Sequence, residues 1–112
     1  MNDPLPDEAR VGRALSYLSA SDEPWARACA ALEAAEMAQK QEREIAFLEC
    51  DEGTQAVRAA KANTSDKVRL AGKAVETAVF EKELLKARRA TAIVVIDVFR
   101  SINANRRAGM VT

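Results

Sequence analysis

The chain has 112 residues, enough for one domain with a modest hydrophobic core. It has no histidine and two cysteines, Cys29 and Cys50, which excludes Ser/His/Asp and Cys/His catalysis and a structural zinc site within one chain. Net charge is zero, yet residues 1–55 hold five basic and twelve acidic side chains, and residues 56–112 hold twelve and five; such halves either choose each other as packing neighbours or set the basic half against a polyanion.

Abundant alanine, few aromatics, four glycines and three prolines suit long helices, and strand-type alternation is absent apart from the run Ile93 to Ile96. Met1 to Pro6 reads as a loose tail. Asp7 to Ser19 predicts a short helix capped by Asp7, with Val11, Leu15 and Leu18 on one side, so residues 1–20 form a tail and short helix. Ser21-Asp22-Glu23-Pro24 is a start signal: Ser21 to cap, two acids for the positive helix end, and a proline suited to the first turn. The helix that follows should span about 22–50. Its expected inward face is Ala28, Ala31, Leu32, Ala35, Ala38, Ile45 and Ala46, with Trp25, Phe47 and Leu48 at its ends. Asp51-Glu52-Gly53 is the turn, with Gly53 left-handed and Thr54 capping the next helix. That second helix should run about 54–107, with a possible break at 63–66 where Ser65 or Asp66 would recap, and a soft spot at Gly72. The expected fold is all-α: an antiparallel hairpin of two long helices over 21–112 with a short N-terminal helix.

The most informative stretch is Phe80 to Arg107, free of glycine and proline. At ~100° per residue, Phe80, Leu84, Ala87, Thr91, Val95, Val98 and Ile102 share one arc, the expected buried stripe. Lys82, Lys86, Arg89, Arg100 and Arg107 fall roughly opposite within about 60°, the candidate nucleic-acid-binding face. Ile93 and Ile96 lie inside that basic arc. Either the N-terminal helix covers them or another subunit does, and the expectation is self-association through Ile93, Ile96, Asp97 and Phe99, with Asp97 as a polar contact setting register.

No Gly-rich phosphate loop or dinucleotide fingerprint occurs. The carboxylates Glu33, Glu36, Glu42 and Glu49 read as a solvated helix face, so no enzyme, metal, cofactor or small-molecule substrate is expected. Nothing resembles a signal peptide or a membrane span, and the two cysteines read as small buried hydrophobes of a reducing cytosol, so a cytoplasmic protein is expected.

The segment Ile96-Asp97-Val98-Phe99-Arg100-Ser101-Ile102-Asn103-Ala104-Asn105-Arg106 carries a hydrophobic-Asp-x-x-Arg-Ser pattern. It resembles the close of the second helix in small hairpin proteins encoded in phage replication and recombination gene clusters. More remotely it is similar to the UvsY-type recombination mediators. The likeness covers roughly residues 40–108. It implies a hairpin that oligomerises into a ring, binds single-stranded DNA and helps load a recombinase in the host cytoplasm. This chain departs from that pattern by having no aromatic residue on the basic arc and extra sequence before Trp25. The alternative expectation is a structural or adaptor assembly protein whose acidic and basic halves satisfy each other without nucleic acid.

Overall fold

A computed structural model describes residues 6–111, the last two in backbone only; most of the expected N-terminal tail lies outside that range. The described residues form four helices and no strand. They are α1 (Glu8–Ala20), α2 (Asp22–Glu49), α3 (Gln55–Asn63) and α4 (Asp66–Val111). The all-α expectation holds, and the second long segment is two helices rather than one.

Local chemistry accounts for the boundaries. Asp7 Oδ1 accepts the Arg10 amide at 2.8 Å, which satisfies one of the orphan donors at the start of α1. Ser21 closes α1 instead of capping α2 with its side chain: its hydroxyl donates to the Leu18 carbonyl, and its own carbonyl accepts the Trp25 amide. Thr54 Oγ1 accepts the Val57 amide and caps α3. The break at 63–66 is real because two hydroxyls take over from the helix ladder. Thr64 Oγ1 donates to the Lys61 carbonyl, and Ser65 Oγ accepts the Val68 amide at 3.2 Å to start α4. The second segment continues to Val111, four residues beyond the expected end.

Gly53 has φ +99°, and a Cβ there would lie 2.9 Å from Val57 Cγ1. Only glycine adopts that backbone freely, and the space is also taken. Gly53→Ala should therefore destabilise the chain by about 1–2 kcal/mol, read as a lower urea midpoint with unchanged slope.

The helices pack as two units, one formed by residues up to Trp25 with those from Leu84 onward, the other by Ala26–Glu83. In the first, Val11 and Ala14 of α1 meet Ala92, Val95 and Ile96 of α4, with Tyr17, Leu18 and Phe99 packed around them. The two helices run in opposite directions, since Asp7 sits near Asn103 and Ser21 near Arg89. In the second unit, Ala28, Ala62, Val68 and Ala78 are buried, and Gln39 Nε2 approaches the Gly72 Cα so closely that a Cβ there would lie 3.1 Å from it. The inward side of α2 carries Ala28, Leu32, Ala35, Gln39, Glu42 and Ala46, whereas Ala31, Ala38 and Ile45 face solvent. Leu48 is exposed rather than an anchor.

The face expected to be buried on α4 is corrected by the structure. Of that stripe only Val95 is buried and Ile102 half-buried; Phe80 is 67% exposed, and Leu84, Ala87, Thr91 and Val98 are also exposed. The covered face recurs every seven residues through Val68, Val75, Lys82, Arg89, Ile96 and Asn103, joined by Ala71, Ala78, Leu85, Ala92 and Phe99. The physical reason is size. Small residues let the helices approach on that face: Ala14 of α1 meets Ala92, and Ala78 is buried in the second unit, whereas the expected stripe sets Phe80 and Leu84 at its start.

Candidate nucleic-acid interface and the two faces of helix α4

The five basic residues expected on one surface are divided by this packing. Lys82 and Arg89 fall on the covered face and are half-buried, while Lys86, Arg100 and Arg107 are exposed. Arg89 is a group of the fold. Its Nη1 donates to Ser21 Oγ at 2.7 Å and to the Leu18 carbonyl at 3.3 Å, and lies 3.1 Å from Asp22 Oδ1. Ser21, 4% exposed, donates its own hydroxyl hydrogen bond to the Leu18 carbonyl. Two N–H bonds on that nitrogen serve three acceptors at the α1–α2 corner, so this guanidinium is committed to orphan carbonyl and hydroxyl groups and not presented to a phosphate.

The four residues expected at an oligomer interface are divided as well. Ile96 is 8% exposed, inside the cluster with Val11, Ala14, Ala92 and Val95, and Phe99 packs against that cluster. The N-terminal helix covers Ile96, which is the first of the two alternatives set by the sequence. Ile93 is 48% exposed and Asp97 is exposed. The reason is a turn of the helix wheel: Ile93 lies ~60° from Ile96, enough to move it off the face that α1 occupies.

A cationic groove that sequence reasoning missed lies in the first unit. On α1, Arg10, Arg13 and Tyr17 recur at three- and four-residue spacing and so share a side. On α4, Arg88, Thr91 and Val95 do the same. Together with Ala14 and Ala92 they line an open groove of about 430 Å³. Three arginines and no acidic residue line it, together with alanine and valine. Tyr17 Oη is buried and has no hydrogen-bond partner among the described residues. Guanidinium forks match phosphate oxygens two at a time, and a phenol ring offers an apolar face beside them. The signal was present as Arg10-x-x-Arg13-x-x-x-Tyr17, but its other wall is seventy residues away in the chain.

The second unit has an apolar groove of about 420 Å³ lined by Phe47, Leu48, Ala59 and Ala62 with Arg43 at its edge. Arg58 stacks over the Phe47 ring at 4.5 Å from its centroid and donates to the Phe47 carbonyl, which ties the start of α3 to the end of α2. Cys29 and Cys50 are free thiols, half-buried. Among the described residues no cluster of three or more His, Cys, Asp or Glu could hold a metal ion, and no helix is long and apolar enough to cross a membrane. No protein-family model, curated protein or solved structure matches this chain.

Proposed function

We propose that this protein is a non-enzymatic, oligomeric accessory of DNA recombination that binds single-stranded DNA, with its two long helical segments arranged as an antiparallel hairpin. The observation that carries the reading is the groove of Arg10, Arg13, Arg88 and Tyr17, with Lys86, Arg100 and Arg107 exposed on the basic half of the chain. The groove supplies cations for a phosphate backbone, and the ring of Tyr17 supplies the aromatic surface that the basic arc alone lacks. Few contacts per copy mean weak binding by one chain, which several copies on one strand would multiply. The phage-type hairpin that the Ile96–Arg106 segment resembles points to a recombinase as the partner served.

A second reading is favoured by Arg89: the third of the five basic-arc cations in chain order is consumed by the fold, as in an assembly protein that binds no nucleic acid. Fluorescence anisotropy with a labelled oligothymidylate separates the two. Binding at low salt that weakens steeply as salt rises, and that falls by about tenfold or more in Arg13→Glu/Arg88→Glu, is the expected result. No binding by the wild type at low salt would leave the assembly reading standing.

A further inference from the structure

Helix α4 carries a second apolar stripe on the side that α1 leaves open. Leu84, Ala87, Thr91, Val94 and Val98 follow one another at intervals of three, four, three and four residues, and all are exposed, Val94 by 58%. That spacing is the a and d pattern of a coiled coil, with Leu84, Thr91 and Val98 at a and Ala87 and Val94 at d. It lies roughly 140° round the helix from the face that holds Leu85, Ala92, Ile96 and Phe99. One helix thus has two seams of the same period, and its own chain closes one of them.

We propose that the outer seam is where a second copy of this chain docks its own α4, parallel and in register. None of the five seam residues is charged, so the occupant is itself an apolar stripe. An in-register parallel pair sets each position against its own image, leucine on leucine and valine on valine, so the surface is complementary to itself under a two-fold axis. The flanking charges choose the direction. Glu83 occupies a g position and Arg88 the e position five residues on, the pair that meets across a parallel two-stranded coil, and symmetry forms it twice. An antiparallel pairing of Leu84 with Val94 instead sets Arg88 against its own copy and Glu83 against Asp97. One seam position is an alanine and one a threonine, so the association is modest and concentration-dependent rather than permanent. Because Arg88 also lines the cationic groove, the second copy's Glu83 governs how much of that charge faces outward. The seam itself stands whether or not DNA is bound, and its test uses none.

Sedimentation equilibrium on the full chain should show a reversible monomer–dimer equilibrium around the 12.2 kDa chain mass. Val94→Glu and Val98→Glu should each shift it toward monomer by about tenfold or more in dissociation constant, with helical circular dichroism retained because both sites are exposed. In a chain with Cys29→Ser and Cys50→Ser, Val94→Cys should form a covalent dimer under oxidised glutathione, and Ile93→Cys should not. A wild type monomeric at high concentration, an equilibrium untouched by both glutamates, or equal cross-linking at 93 and 94 would each overturn the proposal.

Discussion

Glutamate in place of Ile96 should cost about 3–5 kcal/mol and leave the first unit largely unfolded, while the same change at Ile93 should cost less than about 0.5 kcal/mol. The two isoleucines are three residues apart and look equivalent in sequence. Ile96 is enclosed by Val11, Ala14, Ala92 and Val95. A carboxylate there loses the isoleucine's transfer energy, leaves a poorly filled space and has no cation inside the cluster to pair with. Ile93 already meets water, and a glutamate in its place keeps helix propensity. Urea denaturation of each variant, followed by helical circular dichroism, reads the contrast directly. Equal loss of stability at both sites, or at neither, would mean that α1 does not cover α4 as described.

Arg89→Met should destabilise the chain by about 1.5–3 kcal/mol. Methionine keeps most of the stem's packing but removes the donor that Ser21 Oγ and the Leu18 carbonyl share. Both acceptors lie at a corner where the chain leaves α1, and the Ser21 side chain is closed off from water that might replace the guanidinium. Asp22→Asn should change little by comparison, because the Asp22 carboxylate is mostly exposed and its ion pair with Arg89 is screened. The loss at Arg89 should accordingly persist in high salt, where a surface ion pair would fade. Thermal melts of the three proteins at low and high salt check this. An Arg89→Met protein as stable as the wild type but deficient in DNA binding would return that side chain to the surface role its sequence position suggests.

The features that sequence reasoning reached are those whose cause is local. Asp7, Gly53, Thr54 and Ser65 act on amides or backbone angles within three or four residues, so their roles follow from residue type and position. The orientation of α4 was not local. A wheel weighted by hydrophobicity points Phe80, Leu84 and Val98 inward, but what meets α4 in the first unit is a short helix offering Val11 and Ala14. Alanine scarcely registers on such a wheel, although its smallness decides which surfaces approach most closely. The seven-residue recurrence of Val68, Val75, Lys82, Arg89 and Ile96 was legible in principle. Two cations inside it disguised the buried seam as a polar one. Long basic side chains bury their stems and carry their heads to the edge, so charge by itself does not mark the outside of a helix. The cationic groove was hidden for a different reason: its two walls are far apart in the chain, and no periodicity within either one announces the other.

Among the described residues, five of the nine buried hydrophobic side chains are alanines, and none is sealed off completely. Alanine has no rotamers to lose on folding, so this interior forfeits little side-chain entropy and in return removes little oily area from water. The change in heat capacity on unfolding follows that area, so the stability curve of such a fold is flat. Warming should loosen it gradually over a wide interval, with no single sharp loss of helical signal.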